Sequence, residues 1–231
     1  MKVLLTSCLL TLTFSFLIES GQAQLRPEQH ISLVETARLL GRKDIAYQES
    51  WCPPREDKGW VMDCSNTVRY IYQAVFGIEL PRVASSQYYT LKQLGQITYA
   101  PRLRDGSVDQ EALVSQMRSG DLLFWEWTYD IKRSPPITHV MIYLGRTADG
   151  TAKMAGSATR SRGETTDSGG VNIYTFNANA PMGGVRDFWG NTVRKGRFVG
   201  FGRVILELPE SQQPRFAEAQ LPGPATIQTP H

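Results

Sequence analysis

Hydrophobic and polar positions along this 231-residue chain change their period partway through. In the first third they recur at helical spacing. Between Arg26 and Leu40, Ile31, Val34, Ala37, Leu39 and Leu40 fall near helical spacing, and Gly41 follows as a stop signal. The clearest helix begins at Cys64. Cys64, Val68, Ile71, Tyr72 and Val75 fall on one face, so that face packs inward. Asp63 or Ser65 can cap this helix and Gly77 can end it. A short helix around Ser85, Ser86 and Gln87 and another from Gln110 to Met117 follow, with an Asp105-Gly106 turn between them. Beyond Ser119-Gly120-Asp121 the pattern alternates. Strands are expected at Leu122–Trp127, Thr138–Leu144, Thr151–Ala158, Val171–Phe176 and Phe198–Ile205. In the second of these His139, Met141 and Tyr143 share one face, and Val140, Ile142 and Leu144 the other. Helices first and strands afterwards predict an α+β fold, with N-terminal helices packed on a central antiparallel sheet.

Two segments stand outside this core. Lys2, an apolar run from Val3 to Ile18, and the small residues Gly21-Gln22-Ala23 have the order of a secretory signal peptide over residues 1–23, cleaved after Ala23. The run is about 16 residues, short of the ~20 needed to span a bilayer, so no stable membrane insertion is expected after cleavage. The reading is therefore an exported protein, periplasmic or secreted. Residues 209–231 are rich in Pro, Gln and Ala and poor in hydrophobics, which predicts a disordered tail. The domain proper is then residues 24–208. Its composition, 41% hydrophobic and 20% charged, is globular rather than disordered. The net charge of +3 comes without a Lys/Arg cluster or basic stripe, which argues against a nucleic-acid partner.

Cleavage would remove Cys8 and leave Cys52 and Cys64. In an oxidising compartment this pair is a candidate disulfide, and the sequence leaves bridge or free thiols open. A nucleophilic cysteine reacts as thiolate, and a helix N-terminus or a nearby imidazole lowers its pKa. Cys64 has the helix start. Of the three histidines, His231 ends the tail and His30 reads as a solvated helix position, which leaves His139. A strand packed under the Cys64 helix would carry that imidazole to the thiol. The scattered histidines and cysteines have no metal-ligand spacing, so neither metal nor cofactor is expected. Trp51, Trp60, Trp125 and Trp127 read as core or rim packing. Asp63 reads more readily as a helix cap than as a catalytic group, and Arg82 either pairs with a carboxylate or binds one on a substrate.

The local sequence adds a resemblance. Asp63-Cys64-Ser65, then Leu80-Pro81-Arg82 with Ser85-Ser86-Gln87, then Gly120-Asp121-Leu122, then His139-Val140-Met141-Ile142-Tyr143 occur in this order. Together they resemble the motifs of the NlpC/P60 cysteine peptidases, whose papain-like core commonly serves hydrolysis of cell-wall stem peptides. The resemblance implies that Cys64 attacks a carbonyl while His139 takes the thiol proton. It also implies that Tyr47, with the Cys64 backbone N–H, holds the oxyanion, and that Asp63, Ser65, Arg82 and Gln87 border the substrate. The implied partner is a cell-wall peptide or related amide; the oligomeric state is left open. Three departures stand out. The family usually places a third polar residue on the strand after the histidine, but here that strand reads Lys153-Met154-Ala155-Gly156-Ser157-Ala158-Thr159, where Ser157 is the nearest candidate. Asn66 stands where a glycine is usual. A glycine-rich insertion, Asn177 to Gly196, is placed to wall the cleft.

Overall fold

The computed structural model describes residues 25–49, 60–159, 163–164 and 169–206. The expected signal peptide, the tail from residue 209, Trp51 and Cys52 lie outside the described residues. Among the described residues four helices, α1 (Pro27–Arg42), α2 (Cys64–Phe76), α3 (Ala84–Gln93) and α4 (Gln110–Gln116), accompany ten strands. The strands are β1 (Ala46–Tyr47), β2 (Val61–Met62), β3 (Ile97–Tyr99), β4 (Leu122–Glu126) and β5 (Ile137–Arg146), followed by β6 (Ala152–Ala158), β7 (Gly170–Thr175), β8 (Gly184–Arg186), β9 (Thr192–Lys195) and β10 (Arg197–Gly202). Six of them form the central sheet in the order β3-β10-β4-β5-β6-β7, antiparallel throughout. The α+β class holds.

Alternation along the strands divides the interior in two. Leu122, Phe124, Val140, Ile142, Leu144, Ala155, Val171 and Ile173 face α1, α2 and α3. Leu123, Trp125, Met141, Tyr143, Met154, Tyr174 and Phe176 face the opposite side, which α4 closes with Leu113 and Val114. In β10 a register shift between Phe198 and Gly200 places Phe198 and Phe201, three residues apart, in that same second core. The structure corrects the phase of α1. Its buried stripe is Leu33, Ala37, Leu40 and Gly41, whereas Ile31 and Leu39 are 54% and 43% exposed. Apolar spacing alone accepted two neighbouring faces, and packing against α2 and β7 selected one.

The short β1–β2 pair was not foreseen, and neither were two further elements. The linker after α3 contributes the edge strand β3, and the insertion folds as the separate β8–β9 hairpin. Neither has the strong alternation of a half-buried strand: β9 is exposed at every position. Among the described residues no helix is long and apolar enough to cross a membrane.

Candidate active site

Asp63 is the N-cap of α2. Its Oδ1 accepts the Asn66 N–H at 2.7 Å and the Ser65 hydroxyl at 3.0 Å. Arg82, on the approach to α3, closes the arrangement: Nη2 donates to Asp63 Oδ2 at 2.6 Å and Nη1 to Ser65 Oγ at 3.0 Å. Gln87 Nε2 donates from beneath to the carbonyls of Ser65, at 3.2 Å, and Pro81, at 2.9 Å. The first turn of α2 is thereby fixed from three sides, and Asn66 at its third position is buried. Asp63, Ser65 and Arg82 do line the cavity described below, but their polar atoms are committed to one another. Gln87, 1% exposed, does not line it. The structure therefore corrects the expectation that Gln87 borders a substrate, because its amide supports the helix start.

Cys64 is a free thiol, 4% exposed, in the wall of a cavity of about 430 Å³. Three donors converge on its sulfur: the backbone N–H of Val140, the backbone N–H of Ser65 and the Tyr47 hydroxyl. Each has a structural origin. The Ser65 N–H belongs to the opening helical turn, whose amides have no intrahelical acceptor. The Val140 N–H faces the sulfur where β5 lies beyond its paired register with β6, which begins at Ile142↔Ala155. Tyr47 is held by the short parallel pairing of β1 with β2, which sets it opposite Met62.

His139 lies between two residues that reach this cavity. Thr138 lines it, and the peptide joining His139 to Val140 supplies the N–H at the sulfur. The imidazole itself turns to the other face of the sheet. It meets the Trp125 ring edge-on at 5.7 Å, directly across the β4–β5 pair. β5 does pack under α2, as the expectation required, but through Val140, Ile142 and Leu144. No hydrogen bond joins thiol and imidazole among the described residues. His139 Nε2 and Trp125 Nε1 are buried without partners there.

Ser157 is not the missing orienting group. It is wholly buried and donates to the Met62 carbonyl at 2.9 Å. Alternation explains the correction: Ser157 shares the helix-side face with Ala155, whereas Ala158 belongs to the face of Trp125. The hydroxyl ties β6 to β2 two residues before the nucleophile. His30 is also more engaged than a solvated helix residue. Its Nδ1 hydrogen-bonds Ser119 Oγ at 2.8 Å, and it packs against Gly145, at the opposite end of β5 from His139.

The protonation states reverse another expectation. Burial, reinforced by the adjacent Asp63 carboxylate, pushes the Cys64 thiol up to about 12, against the three donors that favour thiolate. Burial pushes His139 down to about 4. Tyr47 is raised by burial and by its proximity to Cys64 and Asp63. Desolvation thus outweighs the helix N-terminus, and near neutrality the site holds a thiol and a neutral imidazole rather than an ion pair. Such a site attacks by moving the thiol proton to a base during addition.

Tyr129, Ile131 and Arg133, from the loop between β4 and β5, and Glu49 after β1 also line the cavity. They carry no motif, and only loop closure over α2 brings them there. Among the described residues no group of three or more His, Cys, Asp or Glu side chains is placed to hold a metal.

A search of curated proteins returns no match. The family model of the NlpC/P60 family matches residues 51–177, a span from just before β2 to the end of β7 that contains Cys64, His139 and the strand of Ser157. With more than half of the chain matched, and a helix-borne cysteine set against an antiparallel sheet, the chain belongs to the NlpC/P60 family, whose members are typically cysteine peptidases and hydrolases of the cell wall.

Proposed function

We propose that this protein is an exported cysteine hydrolase that cleaves an amide bond in peptidoglycan stem peptides. The observation that carries the proposal is the convergence of the Ser65 N–H, the Val140 N–H and the Tyr47 hydroxyl on the sulfur of a free cysteine in a cavity wall. Donors fixed in advance around a reacting atom stabilise charge as it develops, without reorganisation. Cys64 Sγ adds to the scissile carbonyl carbon, and the thiol proton passes to neutral His139, whose imidazole has to swing from Trp125 toward the sulfur to accept it. The oxyanion of the adduct is held by the Cys64 backbone N–H and the Tyr47 hydroxyl. Collapse breaks the C–N bond, His139 returns the proton to the departing amine, and water, deprotonated by the same imidazole, opens the thioester.

Product masses from purified peptidoglycan, incubated with the reduced mature protein or its Cys64→Ala variant, test the reading. Defined stem-peptide fragments from the wild type alone are expected, and their masses name the bond.

One observation favours a second reading. His139 Nε2 is buried and unpartnered among the described residues, so no polar group fixes the imidazole. A wall-binding domain without catalysis fits that feature. It predicts retention of both proteins on peptidoglycan and fragments from neither. An amidase or acyltransferase acting on a different amide through the same cysteine predicts no fragments and no retention.

A further inference from the structure

A second cavity, of about 550 Å³, adjoins the one that holds Cys64, and the two share Ile131 and Arg133 as a common wall. Its lining includes Trp127, Asp130, Lys132, Val193 and Arg194. The lining thus holds three cations, Lys132, Arg133 and Arg194, and one carboxylate, Asp130. None of these three cations forms an ion pair among the described residues. Arg133 donates from Nη2 to the Ile137 carbonyl, while its Nε is buried and unpartnered there.

The cavity is built with some care in the backbone. Trp127 has φ +57°, a conformation that a bulky residue rarely adopts. Its indole carries the Arg194 guanidinium, 4.1 Å above the ring. A stacked guanidinium keeps its N–H edge for a planar anion, and that edge makes no hydrogen bond among the described residues. The β8–β9 hairpin that bears Arg194 is clamped at its root. Gly184 N–H donates to the Thr128 carbonyl at 2.8 Å. A Cβ at Gly183 would stand 2.3 Å from the Thr128 oxygen, and one at Gly196 would stand 1.9 Å from the Met182 oxygen. Only glycine permits so close an approach. The hairpin also lies beyond residues 51–177, outside the part of the chain that the family model matches.

We infer that the β8–β9 hairpin and the β4–β5 loop form a second subsite, which binds a carboxylate carried by the peptide whose amide reacts at Cys64. The inference rests on the proposed hydrolase reading for its substrate and deepens it: the peptide is acidic to one side of the scissile bond. A forked guanidinium on an aromatic face, with a lysine lining the same cavity, matches the planar, doubly accepting geometry of a carboxylate.

The test uses two stem-type peptides, one with free carboxylates and its twin with those groups as carboxamides. Calorimetric binding to the full-length Cys64→Ala protein measures the subsite without turnover. The carboxylate peptide is expected to bind about tenfold more tightly. The doubly substituted Lys132→Met, Arg194→Met protein, in the Cys64→Ala background, should lose that preference. Lys132 is exposed and bonded to nothing among the described residues, so Lys132→Met alone keeps the fold and should reduce the preference about threefold. Equal affinity for the two peptides, weak or tight, or a preference that survives both substitutions, would overturn the inference. Turnover by the wild type is read separately: failure to cleave either peptide counts against the hydrolase reading, while the binding ratio still decides the subsite.

Discussion

At the scale of single residues, burial keeps both Cys64 and His139 neutral near pH 7. The thiol stands near 12 and the imidazole near 4, both displaced by burial from their ordinary values. His139 can serve as a base only while unprotonated, so kcat/KM should fall on the acid side with a midpoint near pH 4 rather than near 6.5. A pH–rate profile on a soluble peptide checks this. Ser157→Ala is expected to leave that midpoint in place, because the Ser157 hydroxyl is bonded to Met62 and not to the imidazole. A shifted midpoint in that variant would restore Ser157 as an orienting residue.

At the scale of elements, the opening turn of α2 is the part most sensitive to substitution. Asp63 caps the helix, receives the Ser65 hydroxyl and pairs with Arg82, all within a half-sealed corner. Asp63→Ala removes the cap and the carboxylate partner of Arg82 together, and should cost about 3 kcal/mol in urea unfolding. Asp63→Asn keeps an acceptor for the Asn66 N–H and should cost clearly less. The same Asn variant removes the carboxylate that raises the Cys64 thiol, so its alkylation by iodoacetamide should become measurable at lower pH. Unchanged alkylation would mean that burial alone sets the thiol. The sheet shows why alternation matters as much as position. One step along β6 separates Ser157, on the helix side, from Ala158, on the side of Trp125 and His139.

For the whole molecule, the buried site makes stability depend on pH from both directions. Between about 6.5 and 4 an unfolded chain binds a proton at His139 that the native protein does not, so stability falls as pH falls through that window. The loss approaches roughly 3 kcal/mol below pH 4. Cys64 acts at the other end. Its thiol ionises in the unfolded chain from about 9 and in the native protein only near 12, so stability is full below 9 and is lost as pH rises beyond it. Tyr47, Tyr72 and Tyr174, also raised by burial, add to the alkaline loss. Urea midpoints measured across pH should therefore form a plateau between about 6.5 and 9. His139→Gln should flatten part of the acid slope and Cys64→Ala part of the alkaline one; profiles parallel to wild type would show that other groups govern the dependence.

The sequence by itself determined the secondary-structure plan wherever one period was strong. The stripe from Cys64 to Val75 and the alternation from Thr138 to Leu144 each state a conformation and a buried face in local terms. The Asp-Cys-Ser start and the later histidine strand were legible for the same reason, since each motif is a short stretch held by its own element. Tertiary structure decided what depends on two elements at once. It chose the buried face of α1, gave Ser157 to Met62 instead of to His139, and directed the Val140 N–H at the sulfur where β5 leaves β6. It also set the protonation of the site, because desolvation is a property of everything packed around Cys64 and His139, and no stretch of sequence contains it. The hairpin over Trp127 was illegible in the same way: its strands are half-buried or exposed and without alternation, and what holds them is the close backbone approach of Gly183, Gly184 and Gly196 to residues distant in the chain or across the hairpin root.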